Sequence, residues 1–590
     1  MNTKDGFPKI IHDVDFCVVG GGLSGLMAAV AAARHGTKVA LMQERPMLGG
    51  NASSEVRMWV CGARGRNNQE TGLVEELFLE NLYRNPDKNY SVWDGIMYEL
   101  AMNEPNIELL LNCTCNGCEM DGDRILSVTG WQMTTETFHT VRAALFADCS
   151  GDSVLAPLTG AEFRYGREAR EEFDEDIAPE QADRKTMGLS CMIQAREETH
   201  ESTFIPPKWA YHYTKEDLPH RVPDMSDPME NFWYLELGGE ADAIRDAEHI
   251  RDELLKTAYG IWDYVKNDPE NKEKNANWRL DWVGILPGKR ESRRYVGDHI
   301  LTQNEVRAGG RFEDLVAYGG WPMDDHDPAG FRSSGVPTIY HPAPSPFGIP
   351  YRCMYSVNVG NLMFAGRNIS VTHTAMSSTR VMATCGTIGQ AVGTAAAIAV
   401  RDGLTPRGVY EERLTELKQT LMEDDCYLPF NRREVPALTR NARLNISAAE
   451  NLRNGLDRPI GDEDNGVTVP PGTAVTYTFE APAAIAHCRI VFDSDLNRDT
   501  LPECEAKRRR NMLHNRPLHW PDSYVPKTLV KAFRLEGIRA DGGIEVLADV
   551  KENHQRLYAL DVQGCYQAVC LIPTETWGSA DCHIFSFDVR

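Results

Sequence analysis

Val14-Asp-Phe-Cys-Val-Val-Gly20-Gly-Gly22-Leu-Ser24-Gly25, continued through Glu44 to Leu48-Gly-Gly50-Asn51, reads as a strand, a glycine turn, a helix, a second strand and an acid at its end. Val14 to Val19 is a short apolar run suited to a buried parallel strand. Gly20 permits the tight turn, Gly22 lets backbone approach a pyrophosphate, and Gly25 lets the next helix pack on the strand. That helix, Ser24 to about His35, is rich in alanine and directs its positive dipole end at the turn. Thr37 to Met42 is the second strand, and Glu44 stands where a carboxylate accepts ribose hydroxyls. Together these features predict a dinucleotide site on a Rossmann-like α/β domain. Phe16–Ala33 is nearly free of charge, but its four glycines and its strand-to-helix turn argue against a membrane span.

Glu44 is followed by Arg45 and by Gly49-Gly50-Asn51-Ala52-Ser53, a second close approach of backbone to the cofactor. On these residues the sequence resembles the FAD-dependent oxidoreductases of the glutathione-reductase-like superfamily. Phe146-Ala-Asp148-Cys-Ser-Gly-Asp152 is similar to that family's second signature, with Cys-Ser in place of Ala-Thr. A third block runs Asn361-Leu-Met-Phe-Ala-Gly366-Arg367-Asn-Ile-Ser-Val-Thr-His373, then Ser378-Thr-Arg380, then Gly389-Gln390-Ala-Val-Gly393. The resemblance covers about residues 14–425 and implies bound FAD. It implies that Gly366 and Arg367 lie by the pyrophosphate and ribityl chain. It also implies that a small-residue helix starting near Thr387 points its N-terminus at the flavin pyrimidine edge, where the dipole stabilises negative charge. Implied cofactor contacts are Gly20, Gly22, Ser24, Gly25, Glu44, Arg45, Gly50, Asn51, Arg57, Cys115, Gly366, Arg367, Gly389, Gln390 and Gly393.

At 590 residues the chain is too long for one core and suits two or three domains. The net charge of −24 speaks against a nucleic-acid partner. Met1–Ile11 carries no signal-peptide pattern, and no other stretch reads as a membrane span, so the sequence reads as soluble and cytoplasmic. Fifteen scattered cysteines suit reduced thiols. Cys113, Cys115 and Cys118 form a C-x-C-x-x-C cluster, yet no second C-x-x-C completes a zinc site and ferredoxin spacing is absent. No metal is expected. No second G-x-G-x-x-G follows a strand, so no NAD(P)H site is expected either.

The FAD-binding domain is expected to be discontinuous, over 1–155 and 345–425, with a substrate-covering segment at 156–344. Residues 242–266 read as a helix, 310–350 as long ordered loops, 410–423 as an amphipathic helix and 426–440 as a linker. From 441 to 590 the sequence changes to short strands without helices, at 467–469, 474–479, 488–492, 529–535, 544–548, 556–560, 568–572 and 583–589. This predicts an all-β sandwich, and its ends resemble galactose-binding-like jelly rolls.

A flavin enzyme needs a group that manages a proton beside the hydride transfer. His373 follows Gly366-Arg367 closely, His326 lies with Asp325 in a polar, aromatic loop, and His341 lies in Tyr340-His-Pro. Arg57 and Cys61 are candidates to face the isoalloxazine. Arg290, within Lys289-Arg-Glu-Ser-Arg-Arg294, and Arg380 could hold an anionic group, or pair with the protein's own acids. The first reading is oxidation of a carbinol on a sugar, glycoside or similar polyhydroxylated substrate, with neutral His326 or His373 as base. The alternatives are C=C reduction of an unsaturated acid, and redox-neutral elimination or cleavage through transient oxidation. The electron acceptor stays open, as does a homo-oligomer.

Overall fold

The computed structural model describes residues 2–4, 6–496 and 511–590. Its contacts divide the chain into two units. The first contains 1–63, 88–417 and 511–521; the second contains 64–87, 418–510 and 522–590. Two short segments, 64–87 and 511–521, thus join the unit that the linear order of domains would not give them.

The first unit is built on a five-stranded parallel sheet in the order Leu362–Phe364, Leu145–Asp148, Phe16–Val19, Val39–Met42, Ile107–Leu110. The four residues of Phe16–Val19 and those of Val39–Met42 are all buried, as expected of strands covered on both faces. Leu23–Arg34 follows the first strand at the glycine turn. It packs against Met382–Asp402 so closely that a Cβ on Gly389 would lie 2.0 Å from the Ser24 carbonyl oxygen, and one on Gly393 2.1 Å from that of Ala28. The small-residue helix therefore starts five residues before the expected Thr387. It is also long and apolar enough to cross a membrane, contrary to the expectation that no later stretch would be, although 94% of its apolar window is buried in the protein.

The stretch 156–344 contains short sheets. Ile193–Glu197 pairs with Trp278–Val283 on one side and, in parallel, with Asn515–Arg516 on the other. The stretch 310–350 is not only loop: Leu315–Gly319 pairs with Phe347–Pro350, and Met323–His326 pairs with Thr338–His341. Turn-rich composition concealed these strands because each is only four or five residues long.

Among its described residues the second unit is β-structure apart from the helix Leu73–Arg84, the end of the helix Pro406–Glu423 and short helical turns. Its antiparallel sheet runs Val467–Val469, Cys582–Val589, Val475–Phe492, Leu557–Thr576, Val530–Ile538, Ile544–Val550. Two pairs of expected short strands are each one long strand of 18 or 20 residues. Register breaks at Thr478/Ala483 and Ile485/His487 mark where the sequence looked interrupted. Leu79 and Leu82 pack into the same core as Tyr477, Ile490, Phe533 and Phe587.

Candidate functional site

The two glycine turns are laced together. Gly49 N–H donates to the Gly21 carbonyl at 2.8 Å, and a Cβ on Gly50 would lie 3.1 Å from Gly22 Cα. Gly25 has no room: its Cβ would meet the Gly20 carbonyl oxygen at 1.8 Å. Gly22 is different. Its φ of −64° suits any residue, and the nearest atom to an added Cβ is 3.9 Å away. The helix it opens has no side-chain cap and no acid in its first turn, which leaves orphan N–H groups aimed at this gap. Gly366 joins them, with its Cβ position 2.9 Å from Ser24 Oγ.

Two arginines close the cradle. Arg45 Nη2 lies 3.9 Å from the Cβ position of Gly50, and Arg45 Nε is buried without a hydrogen-bond partner among the described residues. Arg367 Nη2 donates to Asp152 Oδ1 at 2.5 Å, while its buried Nε is likewise unbonded. An open glycine position, an uncapped helix and two arginines with spare donors fit the pyrophosphate of a dinucleotide. Glu44 lies on the same turn with its side chain 63% exposed. Asn51 Nδ2 donates to the Lys289 carbonyl at 3.1 Å. Asp148 is spent on its own turn, accepting from Ser150 N, Leu155 N and the Tyr295 hydroxyl.

Other expected contacts are packed within the protein. Gly389 and Gly393 face the backbone of Leu23–Arg34, so their smallness serves helix packing. Gln390 is buried in the same helix. The Arg57 guanidinium lies over Trp282 at 4.4 Å and Tyr90 at 5.0 Å, and donates to Gln194 Oε1 and to the Ser54 carbonyl. Cys115 is buried on Cys113–Asp121, and burial pushes its thiol up to about 12. No group of three or more metal-ligating side chains occurs among the described residues.

The candidate substrate residues form a buried chain in which acids alternate with arginine and histidine side chains. Arg290 lies 3.4 Å from Glu236, Glu236 lies 2.5 Å from His326 Nδ1, and His326 Nε2 is 3.3 Å from Asp324. Asp324 in turn meets Arg380 at 3.2 Å. Burial alone would raise Asp324's pKa, but His326 and Arg380 hold it well below the usual carboxylate range. Because side chains alternate along Met323–His326, Asp325 points away from Asp324 and His326, towards His373 Nε2 at 3.5 Å. On its other side His373 Nδ1 meets Glu291 at 2.9 Å, and its backbone N–H donates to Glu168 Oε2 at 2.9 Å.

His373 opens a short helix, where burial and the helix dipole disfavour a cation. Burial pulls its pKa down, but Glu291 and Asp325 overcome this and raise it to about 10. His373 is therefore an imidazolium at neutral pH. Both ring nitrogens of His326 also face carboxylates. His373 therefore offers no free lone pair for a base. His341 lies apart, half-buried and paired across the hairpin with Met323. Glu236, Asp324 and Glu291 were not singled out in the sequence, although Glu236 is an acid inside the apolar run Phe232–Leu237 and Glu291 interrupts a basic one.

The family model described as FAD dependent oxidoreductase matches residues 15–421. No curated protein matches the chain. Among solved structures, a geranylgeranyl bacteriochlorophyll reductase-like protein from Thermoplasma acidophilum is 13% identical, with 71% of this chain and 85% of that one covered and a TM-score of 0.33. The flavin-dependent brominase Bmp2 is 12% identical, with 70% and 86% covered and a TM-score of 0.33. A family 32 carbohydrate-binding module from Streptococcus pneumoniae EndoD is 13% identical, with 27% and 97% covered and a TM-score of 0.19. Likenesses of this strength say nothing of chemistry.

Proposed function

Because this chain belongs to the FAD dependent oxidoreductase family, we propose that it oxidises a carbinol on a neutral, polyhydroxylated substrate such as a sugar or glycoside. FAD, when bound, supplies the hydride acceptor. The supporting observation is that each cation in the chain of buried residues already faces a carboxylate. Arg290 meets Glu236, Arg380 meets Asp324, and the His373 imidazolium lies between Glu291 and Asp325. The other cations of the arginine-rich segment also face groups of the protein. Lys289 meets Asp152 at 2.7 Å, Arg293 donates to the Asp152 and Ser153 carbonyls, and Arg294 meets Glu168 at 3.1 Å. A site that clamps the carboxylate of an unsaturated acid needs spare cations. A polyol needs many fixed donors and acceptors, and a network of paired side chains suits it.

Asp325 is the most exposed member of the network, with 27% of its side chain accessible. We assign it the substrate hydroxyl. As the carbinol C–H departs as hydride, the O–H proton passes to the Asp325 carboxylate and a carbonyl remains. His373 stands behind Asp325 as a fixed positive charge, oriented by Glu291. This role replaces the neutral histidine base. The test is an anaerobic titration of the holoenzyme with sugars, glycosides and enoates, read by the visible flavin absorbance. Bleaching by a sugar or glycoside supports the reading. A flavin untouched by sugars, but reoxidised by an enoate after chemical reduction, replaces it with the reductase.

A further inference from the structure

The strip Arg57–Val60 is gripped by residues that come from the far end of the sequence. Arg57 has φ 59°, a left-handed conformation that a non-glycine residue keeps only when its surroundings impose it. Its carbonyl accepts two hydrogen bonds, from the Tyr90 hydroxyl at 2.9 Å and from His514 Nε2–H. Asn511 brackets Val60: its Oδ1 accepts the Val60 N–H at 3.3 Å, and its Nδ2 donates to the Val60 carbonyl at 3.1 Å. The His514 ring meets Trp59 edge-on, with centroids 5.2 Å apart.

The gripping segment is itself anchored. Asn515–Arg516 extends the sheet of Ile193–Glu197. Asn515 Nδ2 donates to the Asp227 carbonyl at 3.0 Å, and Arg516 Nη2 to that of Lys88 at 2.7 Å. His514 is buried, and burial pushes its pKa down to about 3, with Arg57 and Arg516 adding to the depression. It stays neutral at any working pH. Its Nδ1 has no partner among the described residues, so its one proton sits on Nε2, where the Arg57 carbonyl needs it.

We propose that Asn511 and His514 are positioning residues for the flavin reaction, holding Arg57–Val60 in the strained conformation in which that strip borders the isoalloxazine. The proposal rests on the reading that the chain after the second glycine pair faces the flavin ring. Neither residue touches the reacting atoms; each acts through the backbone it fixes.

The test uses the full-length holoenzyme and needs no substrate: FAD content, the visible flavin spectrum and the flavin reduction potential. Asn511→Ala and His514→Phe are expected to retain FAD but to shift both the spectrum and the potential. His514→Gln, whose amide can donate to the same carbonyl, is expected to match the wild type. If Asn511→Ala does not fold, Asn511→Asp keeps the acceptor for Val60 N–H and is expected to give a partial shift. Met58→Lys, which alters the strip directly, separates the two ways of failing. A shift with Met58→Lys but none with Asn511→Ala and His514→Phe overturns the positioning role alone. No shift with any of the three overturns the placement of the strip beside the flavin, and the positioning role with it.

Discussion

Gly22 and Gly25 stand three residues apart and are glycine for different reasons. Gly25 is required by the protein itself, since an added Cβ meets the Gly20 carbonyl at 1.8 Å. Gly25→Ala is expected to lower stability by about 1–3 kcal/mol or to prevent folding. Gly22 has open space and an ordinary backbone conformation. Gly22→Ala is expected to leave the melting of the cofactor-free protein within about 0.5 kcal/mol of wild type while weakening FAD binding at least tenfold. Melting curves and flavin titrations of the two variants check this. The glycine motif was legible in the sequence, but the division of labour within it was not, because spacing does not report what faces each Cα. The same holds for the histidines. His326 and His373 were legible as candidates, whereas their partners Glu236 and Glu291 are distant in sequence, and it is Glu291 with Asp325 that sets the protonation of His373. His373 has a folded pKa raised to about 10 against an ordinary value near 6.5. Its charged contacts therefore stabilise the fold fully below about pH 6.5, and this contribution is lost as pH rises towards 10. The stability difference between wild type and His373→Gln is expected to shrink over that window. A difference that grows with pH instead would show that His373 is neutral.

At the scale of elements, the pairing of Leu23–Arg34 with Met382–Asp402 sets the geometry of the cradle. Gly389 and Gly393 lie where the two backbones touch. Gly389→Ala or Gly393→Ala is expected to push the helices apart, lower the melting temperature and release FAD. A flavin-retaining variant with unchanged melting would contradict this. Parallel strands with continuous apolar runs, Phe16–Val19 and Val39–Met42, were readable because burial on both faces leaves no polar alternation to confuse. The hairpin Met323–His326 with Thr338–His341 was not readable. Its strands are four residues each, and the alternation that sends Asp325 to one side and Asp324 and His326 to the other looks like a polar loop. In the second unit the bulges in Val475–Phe492 divided one strand into two apparent ones.

For the whole molecule, the change of character near residue 441 was plain in composition, and the exchange of segments was not. Nothing in 64–87 or 511–521 departs from its neighbours in pattern; only the tertiary contacts assign them. Leu79 and Leu82 complete a core otherwise made from residues beyond 441, and Asn515–Arg516 completes a sheet otherwise made from 193–283. A protein ending at residue 440 is therefore expected to lose FAD and to melt lower than the full chain. One containing only 441–590 is expected to expose the apolar surface that Leu79 and Leu82 cover and to associate. Both follow from thermal melts and size-exclusion chromatography of the two fragments.

The exchange also bears on how the ribosome delivers this protein. Many chains finish an N-terminal domain while the rest is still being made, but this one cannot close its first unit until Asn511 has emerged. At about 5–20 residues per second, the roughly 450 residues between the strip and its clasp take about 20–90 s to appear. For that interval the nascent sheet waits with an unfilled edge at Ile193–Glu197, a place for a chaperone to hold and an early liability that the finished molecule no longer shows.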